Sequence, residues 1–247
     1  MNRLDSLRTI TRPILTCYLP VGDPLALPSQ VEIYAQQGVD VFEIGIPCSE
    51  PFFDGELVQN SMSRALATAV KQRDIAKCAS RIRQQHQDKA VVMMGYQNLC
   101  LEQLLINGKA EFDGLLQVGA AKQESELEAA AIRPIVFVPH DLPEEMIALA
   151  RLCSGYVMLQ AASGKTGLRN EFDMSNKMKI ERLRANGVVA PILLGVGISN
   201  AEQARQAIEC GADGVIIGSA CLAKMLEGEA QLRDFLAAIR SALNGSR

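Results

Sequence analysis

The sequence predicts a single (β/α)8 barrel spanning residues 1–247. Three observations carry that expectation: eight short apolar, β-branched runs, longer segments of helical period between them, and a chain of 247 residues. Continuous apolar runs flanked by amphipathic segments indicate parallel strands buried on both faces. Eight such units average about 31 residues each, and a barrel of this class takes about 250 in all, whereas an open doubly wound sheet usually uses fewer units.

The elements follow in order. Strands are expected at Ile14–Val21, Asp40–Pro47, Ala90–Tyr96, Phe112–Gly119, Pro134–Pro139, Gly155–Ala162, Pro191–Gly197 and Gly214–Ala220. Between them the spacing predicts helices over Pro28–Gln37, Val58–Ala69 with Arg73–Gln85, Leu99–Gly108, Glu144–Leu152, Ser175–Asn186 and Ala201–Cys210, with Gln231–Leu243 closing the count. The fourth crossover is the shortest, since only Gln123–Ala131 joins its strands, barely two turns of helix. Ser199 stands three residues ahead of Glu202, the pattern of a capping box. Gly38, Gly187 and Gly211 follow helical runs, where the terminating residue needs a positive φ.

Composition excludes several classes. With 25 Lys+Arg against 28 Asp+Glu the net charge is −3, which offers no electrostatic footprint for nucleic acid. Hydrophobic residues make up 48%, too many for a disordered chain. No apolar run approaches the roughly 20 residues that span a bilayer, and Met1–Arg12 lacks a signal-peptide core, so a soluble, cytoplasmic protein is expected. The seven cysteines are odd in number and form no C-x-x-C pair, which argues against a disulfide framework. His86 and His140 lie far apart, so no metal site is expected.

In a barrel, working groups gather at the C-terminal ends of the strands. The second strand places Glu43 inside an otherwise apolar run, and its loop supplies Asp54 eleven positions on. A buried carboxylate needs a partner or a raised pKa, and no strand offers an inward Lys or Arg. Glu43 is therefore a candidate acid–base group; Asp54, beside Gly55, could equally serve a turn. Three glycine-rich loops end the last three strands: Ser163-Gly164-Lys165-Thr166-Gly167, Gly195-Val196-Gly197 and Gly218-Ser219-Ala220. Bare backbone N–H groups there suit a phosphate. Other residues read as bland: Met93, Met94 and Met158 as core filling, Cys48 as an inert thiol, and His140 as a solvated loop histidine. Gly-Lys-Thr at 164–166 lacks the rest of a nucleotide-binding loop.

The string Glu43-Ile44-Gly45-Ile46-Pro47-Cys48-Ser49-Glu50-Pro51-Phe52-Phe53-Asp54-Gly55 resembles the signature of the tryptophan synthase alpha subunit family. So do Gly22-Asp23-Pro24, Tyr96-x-Asn98, Ser163-Gly164-Lys165-Thr166-Gly167, Gly197-Ile198-Ser199 and Gly218-Ser219-Ala220, in order along nearly the whole chain. The resemblance implies a (β/α)8 barrel that splits indole-3-glycerol phosphate into indole and glyceraldehyde 3-phosphate without a cofactor, docked on a pyridoxal-phosphate beta subunit. It implies Glu43 and Asp54 as catalytic groups, and Tyr96, Thr166, Gly167, Gly197, Gly218 and Ser219 as substrate-binding residues. Departures fall in two loops and one strand. Val118-Gly119-Ala120-Ala121 stands where the family carries Asp-x-Pro. Met158 replaces a Tyr, although Tyr156 lies two positions earlier. Glu50, Phe53 and Glu56 replace an Asp, a small residue and a Pro. Both altered loops belong to the family's beta-docking face. Action on another phosphorylated substrate, or a catalytically silent partner subunit, stay open on these residues.

Overall fold

The structure, a computed structural model, describes residues 2–96, 99–106, 109–119, 124–169 and 171–245. Eight parallel strands close into a barrel: β1 (Ile14–Leu19), β2 (Val41–Gly45), β3 (Ala90–Gly95), β4 (Gly114–Gln117), β5 (Arg133–Val138), β6 (Val157–Gln160), β7 (Ile192–Gly195) and β8 (Gly214–Ile217). Each strand pairs with its sequence neighbour, and β8 returns to β1 with Ile14 opposite Gly214. Closure removes both sheet edges, so every strand can be apolar on both faces without exposing an unpaired ladder. The expected fold class is the one observed.

The helices form the outer layer: α1 (Gln30–Gln36), α2 (Glu56–Ala67), α3 (Gln72–Gln85), α4 (Leu101–Leu104), α5 (Glu124–Ala129), α6 (Glu144–Arg151), α7 (Asn176–Ala185), α8 (Ala201–Glu209), α9 (Ser219–Glu227) and α10 (Glu229–Asn244). Residues Arg3–Arg8 add a 3₁₀ helix before β1, with Leu4 and Leu7 buried under the barrel. Gly38, Gly187 and Gly211 take φ of 75°, 85° and 96° after their helices, as their positions require.

Three sequence expectations need correction. The stretch Leu99–Gly108 is not one helix: α4 has four residues, and Leu105–Ile106 then pairs antiparallel with Lys109–Ala110. Asn107-Gly108, the dipeptide that most favours a two-residue hairpin reversal, was the overlooked signal; both residues lie outside the described residues. The eighth strand stops at Ile217, and Ser219 and Ala220 open α9. Helix α8 is capped by Asn200, whose Oδ1 accepts from Gln203 N at 2.9 Å, while Gln203 Oε1 accepts from Ser199 N at 2.7 Å. The capping pair is thus Asn200 and Gln203, one residue later than Ser199 and Glu202, because Ser199 Oγ is engaged by Arg169 N at 2.9 Å.

Aspartates at the starts of strands fix the lower rim. Asp40 accepts from Leu15 N, and Asp113 from Val91 N, each at 2.9 Å; Asp213 accepts from Ile192 N at 2.7 Å. Arg12 and Arg240 neutralise Asp40, and Arg184 neutralises Asp213. Burying Asp40 and Asp113, the latter facing Arg3 and Arg83, is tolerable only because charge and hydrogen bonds are both satisfied; Asp213 is exposed. The opposite rim, where the chain carries its glycine loops, is left free for chemistry.

Candidate active site

Register puts Tyr18 opposite Glu43, and Glu43 opposite Val92. All three therefore share the inward face of the barrel, because side chains alternate along a strand. Glu43 is 3% exposed, and its Oε1 is buried without a hydrogen-bond partner. Burial is the main reason its pKa is pushed up to about 8, with the nearby charge of Asp54 adding to the shift. This carboxyl is protonated at neutral pH, the state expected of a general acid.

Asp54 is buried as well, but its carboxylate is held. Tyr96 Oη donates to Oδ2 at 2.6 Å, and Thr166 Oγ1 donates to Oδ1 at 2.9 Å. Thr166 Oγ1 in turn accepts from Gly55 N at 2.9 Å, and Thr166 N donates to Phe53 O at 3.1 Å. Gly55 has no room for a side chain, since a Cβ would stand 2.1 Å from Thr166 O. Burial raises the Asp54 pKa, and the bonds from Tyr96 and Thr166 with the charge of Lys165 pull it part of the way back. Asp54 is thus no simple turn residue. The ring of Phe52 meets Tyr96 edge-on at 5.1 Å, and that of Phe53 meets Phe137 at 4.8 Å.

One cavity of about 50 Å³ brings these groups together with the glycine loops. Glu43 and Asp54 lie in its wall, as do Thr166, Gly167, Gly197, Gly218 and Ser219. Gly197 has φ of 104°, and Val196 before it has φ of 62°, a costly conformation for a β-branched residue. Ser219 opens α9, with Gly218 at the cap, so the first-turn N–H groups and the helix dipole join the glycine loops. The sequence pattern missed α9 as a helix; a Ser after Gly at a strand end, followed by an apolar run to Glu227, was the available sign.

The remaining candidates sort as follows. Tyr96 holds Asp54 and does not line the cavity; Asn98 of its motif lies outside the described residues, as do Ala120, Ala121 and Gln123. Met158 and Met94 line the cavity rather than merely filling the core, while Met93 is fully buried. Tyr156, two residues before Met158, is buried with its hydroxyl unpartnered. His140 is not a solvated loop residue: its Nε2 lies 2.7 Å from Asp173 Oδ2, and its N donates to Gln160 Oε1 at 3.0 Å. Cys48 is buried. Among the described residues no group of His, Cys, Asp and Glu is placed to hold a metal ion, and no helix is long and apolar enough to cross a membrane.

The sequence profile described as Tryptophan synthase alpha chain matches residues 4–244. The chain belongs to the tryptophan synthase alpha chain family. An alpha chain of Delftia acidovorans is 34% identical over 94% of this chain and 94% of its own length. One from Burkholderia thailandensis is 33% identical over 99% and 96%. The fold matches the tryptophan synthase alpha subunit of Legionella pneumophila with a TM-score of 0.83 at 23% identity, covering 99% of both chains. It also matches a tryptophan synthase chain of Mycobacterium tuberculosis with a TM-score of 0.83 at 24% identity, over 98% of this chain and 96% of the other. The tryptophan synthase alpha chain resemblance seen in the sequence is therefore a family relationship along the full barrel.

Proposed function

We propose that Glu43 and Asp54 carry out the cleavage of indole-3-glycerol phosphate in this chain, with the glycine rim holding the phosphate. The chain is a carbon–carbon lyase of the tryptophan synthase alpha type, releasing indole and glyceraldehyde 3-phosphate. The single observation that supports the residue roles is the pair of buried carboxyls in one cavity, one with an oxygen unpartnered among the described residues and a pKa of about 8, the other clamped by two hydroxyls.

The chemistry follows from that asymmetry. Glu43 delivers its proton to indole C3, and the ring nitrogen acquires positive charge. Asp54 accepts the ring N–H and stabilises that charge, as a fixed anion does best in a site closed to water. The C3–glycerol bond then breaks, its electrons return to the ring, and Glu43 takes the proton of the glycerol hydroxyl as the aldehyde forms. One proton enters at carbon and one leaves from oxygen, so Glu43 ends the cycle as it began. Keeping two carboxyls of unlike pKa side by side is the usual way to separate an acid from an anion. Gly167, Gly197, Gly218 and Ser219 hold the phosphate through backbone N–H groups, which fixes the ring over Glu43.

Tyr96 and Thr166 serve the substrate through Asp54, which they orient. A beta subunit is the proposed partner, on the precedent of the family. Its docking face would include the loop with Phe52 and Phe53 and the loop beginning at Val118-Gly119, where this chain departs from the pattern. Action on another phosphorylated substrate, or a silent subunit, has no observation of comparable weight behind it. Indole release by the purified chain, with and without a beta subunit, tests the reading; turnover by wild type no faster than by Glu43→Gln overturns it.

A further inference from the structure

We propose that Arg169 is a positioning residue for the substrate phosphate, locking the loop that carries Thr166 and Gly167 against the loop that carries Gly197. This rests on the phosphate reading of the glycine rim. Arg169 follows Gly167 by two residues, and its side chain turns back over its own loop. Nη2 donates to Ser163 O and to Lys165 O, each at 3.0 Å. The main chain of Arg169 faces the other way: N donates to Ser199 Oγ, and O accepts from Gln203 Nε2, both at 2.9 Å. Its stem packs on Gly197, where a Cβ would stand 3.1 Å from Arg169 Cγ. One residue therefore joins two of the three glycine loops at the phosphate end.

Two further facts point to an anion. Arg169 Nε is buried and has no hydrogen-bond partner. Among the described residues no carboxylate pairs with this guanidinium, whose neighbours are neutral carbonyls. A buried, unspent N–H on a permanent cation is rare and calls for an anionic or water-borne acceptor. Arg169 is not in the cavity wall, but its stem lies against Gly197, which is, so a dianionic phosphate held at Gly167 and Gly197 is the anion nearest this charge. The loop also links both ends of the site, since Thr166 holds Asp54 while its neighbour Gly167 lines the phosphate end. Loosening Arg169 therefore weakens phosphate binding first and blurs Asp54 second.

The test uses the full chain as wild type, Arg169→Gln, Arg169→Lys and Gly218→Val. Steady-state cleavage gives KM and kcat, inhibition by inorganic phosphate gives the anion affinity, and indole fluorescence gives ring affinity, the chain having no Trp of its own. Loss of one charge-assisted contact in Arg169→Gln is expected to raise KM and the phosphate inhibition constant together by about tenfold, with indole affinity falling by much less. Arg169→Lys, which keeps the charge but not the two-carbonyl clamp, is expected to lose about threefold. It carries the test alone should the Gln variant fail to fold. Unchanged phosphate inhibition in the Arg169 variants, with inhibition lost in Gly218→Val, overturns the role of Arg169 and leaves the rim intact. Unchanged inhibition in Gly218→Val as well removes the phosphate reading and this one with it. An equal fall in indole affinity would show a merely structural residue, and also overturns the proposal.

Discussion

Thr166 Oγ1 donates to Asp54 Oδ1 at 2.9 Å across 112 residues of chain. With Tyr96 Oη on the other oxygen, both ends of the carboxylate are held from different strands' loops. These bonds lower the Asp54 pKa against the upward push of burial. Removing either in Thr166→Val or Tyr96→Phe raises it further. Each variant is expected to lose about tenfold in kcat, and the acidic limb of the pH profile moves to higher pH, as rate measurements between pH 5 and 9 will read.

The pH dependence of wild type follows from the same pair. In the proposed mechanism activity needs Glu43 protonated and Asp54 ionised. Activity should therefore fall as pH rises through about 8, the value to which burial and Asp54 push Glu43. On the acid side it falls as Asp54 is protonated, at a pH above the ordinary aspartate value because burial outweighs the bonds that hold the anion. Because the groups interact, the two limbs belong to the pair. A flat profile between pH 7 and 9.5 would contradict the acid role of Glu43.

Glu43→Gln separates catalysis from stability. Loss of the proton donor should cut kcat by about 10²–10⁴-fold. Stability should move the opposite way. The folded chain holds the Glu43 proton up to about pH 8, while the unfolded chain releases it near the ordinary value of 4.5. Between those values the unfolded state binds fewer protons, so wild type loses stability as pH rises through that window. The amide has no such loss. Melting temperatures should show Glu43→Gln gaining on wild type from pH 5 to pH 8 and holding that gain above it.

Gly218→Val tests the phosphate rim with little strain. Gly218 has φ of −100°, and a Cβ there would meet only Tyr18 Cβ, at 3.9 Å. A bulkier side chain enters the cavity instead, so KM should rise at least tenfold while kcat changes little, phosphate contact being common to ground and transition states. Gly197 is a poorer probe, because its φ of 104° makes any side chain strained.

Gly45 should not accept a methyl group. A Cβ at this position would stand 2.2 Å from Tyr18 Oη, so the tyrosine ring occupies that space, one turn of the pleat above Glu43. Gly45→Ala is expected to destabilise the chain by about 1–3 kcal/mol through overpacking, and to disturb activity by moving Tyr18 toward Glu43. Thermal melts and kcat together check this.

Much of this was legible beforehand, for particular reasons. Each barrel strand is a short, mostly apolar run set between segments of helical period, so strand number and order could be counted. Glu43 stood out because one carboxylate interrupted such a run. The end of β8 was obscured because Ser219-Ala220-Cys221-Leu222 is as apolar as the strand before it, and period alone cannot separate a buried helix from a buried strand. The helix expected over Leu99–Gly108 failed because apolar spacing outweighed the reversal signal of Asn107-Gly108. His140 looked solvated only because Asp173 lies 33 residues away.

The sequence by itself determined the fold class, the family, the two carboxyls and the three glycine loops, since each is a local pattern of residue types. Only the tertiary structure decided that the Asp54 carboxyl is held at both oxygens while Glu43 Oε1 is left unpartnered among the described residues, and that Arg169 ties two glycine loops together. The reason is physical: a carboxyl's pKa and a guanidinium's partners depend on burial and on groups brought close by barrel closure. Those neighbours are separated by up to 112 residues in the chain.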